Sequence, residues 1–492
     1  MSSGVFVRLE SFSAMTMTTV RGRVLIGGEW HAGARPPIEV FDKYTGALIG
    51  SVETASRDQV DAAVAAARRS FERYSLDPQT RYQLLQKTAA LIEKHRDELA
   101  SLITAEGGLP ISDATAEVAR AVQTCIISAE EAKRLVGEVV PIDAAPGQAH
   151  RMAFTMRVPR GVICGISAFN SPLNMVCHKV APALASGNAV VLKPSEVVPL
   201  SATRLFELLL EAGFPPGHLG LIQGAGSELG PWLVENPDIA LYTFTGSTRA
   251  GMWLRDHVGL RPVLLELGSI SPTIVCDDAD LDRAATRCAA SAFRRAGQVC
   301  TSTQRLFVQR GVEDAFRQRF VHAVANLRVG DPRDPRTDVG PMISEREAIR
   351  AESWVSEAVA HGATVVQGGR RDGAILHPTI LADVNPSARV VCEEIFAPVV
   401  SLIPFDSLDE AIDCANATPY GLAAGVFSKD VTRALTAARR LRVGLVHLND
   451  ASSARVDLIP FAGVKQSGIG REGPKYAMQE MTEERLVTMS LA

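Results

Sequence analysis

The sequence predicts an α/β protein built from two parallel-sheet units and a separate pair of extended arms. Three features predict it. Strand-like and helix-like segments alternate from residue 158 to 265, a second alternation runs from about 263 to 445, and residues 137–158 break the helical pattern before them. With 492 residues the chain is too long for one simple core, and 46% apolar against 22% charged residues supplies several.

In chain order, residues 1–20 read as a flexible leader. Their longest apolar run is VFV, followed by Arg8 and Glu10, so they lack the apolar middle of a secretory signal, and Met15 and Met17 offer later starts. Residues 24–54 read as short strands and turns (VLIGGEW, IEVFD, LIGSV). Ser56 before Arg57, Asp58 and Gln59 marks a helix entry, and Val60, Ala63, Val64, Ala67 and Phe71 recur at helical spacing. Leu84, Leu85, Leu91, Ile92, Leu99 and Leu102 predict a second helix, and a third covers about 113–136. The segment 137–158 reads as two extended arms around a Pro/Gly turn, and such arms need a partner sheet from this chain or another subunit.

The first alternation comprises VPRGVICGIS, the helix HKVAPALASG, NAVVLKPSE, the helix SATRLFELLLEAG, LGLIQG, a helix through 227–235, ALYTFTGS and a helix from 248. The second places strands at VLLEL, PTIVC, RLFVQ, ATVVQGG, VVSLIPF, GVFSK and VGLVHLN, and EERLVTMSLA predicts a last strand. Lys plus Arg total 51 and Asp plus Glu 55, so no basic excess exists for a nucleic-acid backbone. No run approaches the roughly 18–20 apolar residues that span a bilayer. The eight cysteines form no CxxC pair and no metal-ligand spacing with histidine, so no metal is expected and a reducing cytoplasm fits.

Three residues stand where chemistry is possible. Cys300 follows Gly297 and Gln298 in a turn before RLFVQ, where backbone N–H groups can favour a thiolate; otherwise it is a buried small apolar residue. Glu266 interrupts the apolar strand VLLEL, so it is paired, protonated or a base, unless it faces solvent at the strand end. Asn170 lies just past GVICGIS, at the carboxyl end of a parallel strand, where its amide can donate to an oxyanion or simply serve a turn. Lys193, Ser195 and Glu196 end the next strand. Gly226 and Gly230 in GAGSELG, and Gly246 and Ser247 in FTGSTRAG, open helices that can approach phosphate, although neither segment has the strict G-x-G-x-x-G spacing.

Taken in order, FN, KPSE, FTGS, ELG, GQ-x-C, EEIF-x-PV and PF-x-G-x-K-x-SG-x-GRE resemble the aldehyde dehydrogenase superfamily from about residue 24 to the end. The run FNSPLNMVCHKVAPALASGNAVVLKPSE looks most like the lactaldehyde and phosphonoacetaldehyde dehydrogenase-type branch, which acts on small oxygenated or anionic aldehydes. The resemblance implies two Rossmann-related parallel-sheet domains and a β-hairpin oligomerisation domain. Residues 21–136 and 158–264 would bind NAD, 265–445 would be catalytic, and 137–157 with 474–492 would form the arms of a homodimer or homotetramer.

It also implies roles. Cys300 matches the catalytic thiol, Glu266 the general base, Asn170 the oxyanion amide and Lys179 a lysine linked to proton release. Lys193 and Glu196 match the holders of the adenosine ribose, with Ser195 beside them. Ile166, Phe169, Gly226, Gly230, Phe244, Gly246, Ser247, Leu267 and Gly268 match the cofactor cleft, and Glu394 and Phe396 match the nicotinamide contacts. Two departures occur: the GGK-type text after the base is Gly268-Ser269-Ile270, and PFGG is PFAG. His178 stands where the succinate-semialdehyde branch has an arginine.

The implied reaction is NAD-dependent oxidation of an aldehyde to an acid through a cysteine thioester. NAD is expected over NADP because Glu196 would face a 2′-phosphate. The alternatives are a CoA-acylating dehydrogenase, which Glu266 argues against, a non-catalytic structural protein of the same fold, and a plain cysteine hydrolase, for which no histidine is placed. His178, Arg294 and Arg455 border the substrate side in the family, and a guanidinium can hold a carboxylate, phosphonate or sulfonate bidentately. The bland reading of Arg294 and Arg295 is a pair of surface charges.

Overall fold

The computed structural model describes residues 20–491; the leader lies almost wholly outside the described residues. Its centre is an eight-stranded sheet in the order Gly468–Ile469, Val263–Glu266, Ile239–Thr245, Val162–Ile166, Ala189–Lys193, Leu219–Leu221, Val24–Ile26, Glu29–His31. The five strands from Val263–Glu266 to Leu219–Leu221 are parallel, and antiparallel strands close both edges. Near-continuous apolar strands suit a sheet covered on both faces. One face packs on the helices Asn174–Ala185 and Leu200–Ala212, the other on Arg57–Arg73, Gly226–Glu235 and Thr248–His257.

The chain leaves Val162–Ile166 toward one edge through Ala189–Lys193 and returns to its other side with Ile239–Thr245. That reversal opens a crevice beyond the carboxyl ends of these strands, the place where open α/β sheets bind ligands.

A second, seven-stranded sheet runs Thr364–Gln367, Thr379–Ala382, Val399–Phe405, Arg305–Gln309, Pro272–Val275, Ala423–Phe427, Leu445–Leu448, parallel except at its first edge. The arms form a three-stranded antiparallel sheet in which Arg151–Pro159 lies between Thr482–Ser490 and Val139–Val140. The partner that the arms require is thus the chain's own last strand, paired over its whole length. Among the described residues no helix is long and apolar enough to cross a membrane.

Two expectations need correction. VLLEL does not head the second unit: Val263–Glu266 pairs in parallel with Ile239–Thr245 in the first sheet, which brings Glu266 to the crevice. The single helix expected over 84–102 is two, Pro78–Lys94 and Arg96–Gly107. They break at His95, whose ring bonds Glu98 at 2.7 Å instead of extending the helical face. The last strand read at EERLVTMSLA is present as Thr482–Ser490, preceded by the helix Pro474–Glu480. Ser56 behaves as read: it forms a reciprocal capping box with Gln59 at the start of Arg57–Arg73.

Candidate active site

The ends of the parallel strands build one wall of a cleft of about 560 Å³. Ile166 runs into Phe169 and Asn170, Lys193 into Ser195 and Glu196, Phe244 into Gly246 and Ser247, and Glu266 into Leu267 and Gly268; all of these line it. The opposite wall, from the second unit, contributes Cys300, Glu394 and Phe396. Lys193 Nζ donates to Glu196 at 2.7 Å. Burial pushes the Glu196 carboxyl up, but Lys193 outweighs it and leaves the group below its ordinary value. Glu394 accepts the Ser269 N–H at 2.8 Å, and burial pushes its carboxyl up to about 7. A Cβ on Gly268 would sit 2.6 Å from Glu394 Oε2, so glycine is what lets the two segments meet. Phe396 meets Phe169 edge to face at 5.8 Å.

This donor set suits a nicotinamide dinucleotide. Two carboxylates, Glu196 and Glu394, end different elements and can each accept from a ribose diol. The helices Gly226–Glu235 and Thr248–His257 open on the cleft with small residues whose N–H groups suit a pyrophosphate. Gly230 does not belong to this set. It lies one turn inside its helix, packed toward the Trp253 ring, because only the first turn faces the cleft.

Cys300 is positioned by an unusual turn. The helix Leu281–Phe293 ends in Arg294–Gly297, where Arg295 (φ 53°) and Ala296 (φ 54°) are left-handed. Gly297 (φ 69°) must lack a side chain, since a Cβ would lie 2.1 Å from the Ala397 carbonyl oxygen. The Gln298 amide donates to Arg295 O at 3.2 Å and accepts the Ile343 N–H at 2.9 Å, fixing the peptide that leads to Cys300.

Glu266 and Cys300 line the same cleft, each close enough to perturb the other's ionisation, and Glu266 Oε1 is buried without a hydrogen-bond partner among the described residues. Glu266 is buried, at 4% exposure, so the solvent-facing reading of this residue does not apply. Burial, then the nearby Glu472, pushes its carboxyl up to about 7 against the pull of Cys300, Arg455 and Lys179. Burial and Glu266 likewise push the Cys300 thiol well above its ordinary value. The expected bias toward a thiolate is therefore opposed in this arrangement by desolvation and the neighbouring carboxylate.

Lys179 is fully buried and lines neither the cleft nor the cavity described next. Its Nζ donates to Thr245 Oγ1 at 2.7 Å and lies 3.1 Å from Glu472. Glu472 also accepts from Arg455 at 3.2 Å. Burial would raise the Glu472 carboxyl, yet Lys179 and Arg455 pull it down to about 2. Lys179 and Glu472 thus form a charged layer behind Glu266.

Beyond Cys300 lies a smaller cavity of about 40 Å³, lined by His178, Arg294, Arg455 and Phe461, with Cys300 and Asn170 facing both spaces. Arg455 stacks 3.8 Å from the Phe461 ring centre. Arg294 and Arg295 both line this cavity, and Arg295 is in addition buried against Glu117, so neither is a plain surface charge. His178 Nε2 lies 2.8 Å from Asp457, which also receives Arg120 at 2.7 Å and Asn174 at 3.1 Å. Burial holds the His178 ring below its ordinary value despite Asp457, so it is neutral. With Asp457 held anionic by His178 and Arg120, Nε2–H donates and Nδ1 is left as a buried acceptor without a partner.

Sequence reasoning missed Glu117, Arg120, Asp457 and Glu472, and it named Arg295 without its partner. One signal was readable: Glu117 interrupts the apolar face Ala114, Val118, Ala121, Val122, Cys125 of the helix Ile111–Ala132.

Residues 30–487 match the aldehyde dehydrogenase family. The 3-sulfolactaldehyde dehydrogenase of Priestia aryabhattai is 47% identical over 466 residues, covering 95% of this chain and 97% of that protein. Among solved structures, an NAD-dependent aldehyde dehydrogenase from Sinorhizobium meliloti has a TM-score of 0.94 at 35% identity, over 98% of this chain and 97% of that one. The NADP-dependent glyceraldehyde-3-phosphate dehydrogenase of Bacillus halodurans C-125, complexed with NADP, has a TM-score of 0.94 at 37% identity, over 96% and 100%.

Proposed function

Given that the chain belongs to the aldehyde dehydrogenase family, we propose that it oxidises short anionic aldehydes with NAD through Cys300, Asn170 and Glu266. Oxidation of an aldehyde to its acid is the family's reaction, and relatives use NAD or NADP. The observation that carries the finer reading is that Cys300 and Asn170 line both a dinucleotide-sized cleft and a small cavity bordered by arginines.

Glu266 takes the Cys300 proton, and the thiolate attacks the aldehyde carbon. The Asn170 amide and the Cys300 N–H hold the resulting oxyanion; losing one such donor costs roughly 10²–10³ in rate. A nicotinamide bound against Glu394 and Phe396 supplies the hydride acceptor. The acyl group then rests on Cys300 as a thioester, and Glu266 takes a proton from the water that hydrolyses it. The carboxyl value near 7 suits both tasks, because it can accept and release a proton near neutral pH.

Arg455 and Arg294 supply the cations for the substrate's tail. About 40 Å³ admits only a few heavy atoms beyond the reacting carbon, which favours short chains over long alkanals. The partnerless His178 Nδ1 favours a substrate hydroxyl that can donate to it. A 3-sulfolactaldehyde-like compound combines these features, in keeping with the named relative. Glu196 supports NAD over NADP, because a 2′-phosphate would meet a carboxylate. The arm sheet keeps Thr482–Ser490 at a free edge and exposes Val139, Met152, Leu486 and Met489, which supports assembly as a homodimer or homotetramer.

The test is a panel of 3-sulfolactaldehyde, 3-sulfopropanal, phosphonoacetaldehyde, lactaldehyde, propanal and hexanal, followed by NADH absorbance. The anionic aldehydes should lead in kcat/KM, with the hydroxylated sulfonate ahead of its deoxy analogue. Hexanal oxidised far better than every charged aldehyde would overturn the reading.

A further inference from the structure

We propose that Arg295 is a positioning residue for the oxyanion donor, strapping the Asn170 turn to the Cys300 turn through a buried bridge to Glu117. The proposal rests on the reading that Asn170 and Cys300 hold the oxyanion. Arg295 lies five residues before Cys300, in the same left-handed turn. Its Nη1 donates to the Asn170 carbonyl at 2.7 Å, and its Nη2 lies 3.0 Å from Glu117 Oε2. Both side chains are buried. The other Glu117 oxygen accepts the N–H groups of Leu173 at 2.9 Å and Asn174 at 3.2 Å.

One guanidinium and one carboxylate therefore hold the Asn170–Asn174 turn at both ends. Holding the Asn170 carbonyl fixes its backbone, and with it the point from which its amide reaches the oxyanion. The φ of 53° at Arg295 is disfavoured for any residue with a Cβ. It is retained by two donors on the Arg295 carbonyl, Gln298 N at 3.1 Å and Gln298 Nε2 at 3.2 Å. That geometry sends the side chain back across the gap. Arginine suits the task because its planar fork can donate to the Asn170 carbonyl with one nitrogen while the other pairs electrostatically with Glu117, whereas a lysine ammonium is a point charge on a flexible stem.

The test is a double-mutant cycle on R295K and N170A, with saturating propanal and NAD, so that it does not depend on the anionic-substrate reading. R295K should lower kcat by about tenfold to a hundredfold, up to the loss of one oxyanion donor, with KM within about threefold. Cys300 alkylation by iodoacetamide and thermal midpoint should stay near wild type. In the N170A background R295K should cost less than about threefold, because the group it positions is gone. Equal cost in both backgrounds, or wild-type kcat for R295K, overturns the proposal while leaving Asn170 in place. Wild-type activity for N170A overturns the reading of Asn170 and the proposal with it. Should R295K fail to fold, E117Q takes its place in the same cycle, with the same coupling to N170A expected and additivity again refuting.

Discussion

Glu266→Gln separates two tasks that the geometry gives to one carboxylate. Its displacement from the ordinary 4.5 to about 7 means that at pH 7 about half the molecules carry the base form. The shift corresponds to about 3 kcal/mol in favour of the protonated form. Glutamine cannot accept a proton, so thioester hydrolysis should slow by about 10²–10⁴. The same change removes the negative neighbour that helps hold the Cys300 thiol up, so that thiol should ionise at lower pH than in wild type. Attack and oxidation lose the same base but also a negative neighbour, so they should slow less than hydrolysis does. Stopped-flow NADH absorbance should show a burst followed by a near-stalled steady state, and the iodoacetamide alkylation profile should move to lower pH. Wild-type turnover should rise with pH through about 7, because the deprotonated carboxyl is the active form, and the variant should lack this limb. A burst lost together with turnover, or an alkylation profile that stays or moves up, would refute the reasoning.

Cys300→Ala should fold with an unchanged thermal midpoint and keep less than about one hundredth of the turnover, since no other thiol lines the cleft. Arg455→Met should raise KM for 3-sulfolactaldehyde about tenfold or more and leave propanal within about threefold. Because Arg455 lowers the Glu266 carboxyl, its loss should also move the acid limb of the rate profile to higher pH. Glu196→Ser should reduce the NAD-over-NADP ratio of kcat/KM by about tenfold or more, as a like charge near the 2′-phosphate is removed; an unchanged ratio would remove Glu196 from cofactor choice.

Much of the site was legible because its residues sit at the ends of strongly patterned strands. Asn170, Glu196, Ser247 and Glu266 follow apolar runs whose length and spacing announce parallel strands, and such strands deliver their carboxyl ends to one crevice. Cys300 was legible as a candidate only through the resemblance carried by GQ-x-C, since its glycine-bearing turn alone fits a buried apolar residue as well. Gly230 shows the limit of this logic: small residues near a helix start look alike in sequence, but only the first turn meets the cleft. The strand Val263–Glu266 shows another limit, since nothing local says which of two sheets a strand will join.

The order of elements and the α/β class follow from the sequence, because periodicity is a local property, and its motifs name the candidate reacting residues through a family resemblance. Only the tertiary structure decided the protonation of those residues and the company they keep. Glu472, Asp457 and Arg455 come from one late loop region, while Glu117 and Arg120 come from an early helix, and they meet only when the two sheets pack. Burial and charge separation are properties of that packing. They raise the Glu266 carboxyl to about 7, push the Cys300 thiol upward, leave His178 Nδ1 without a partner among the described residues and aim Arg295 at the Asn170 carbonyl.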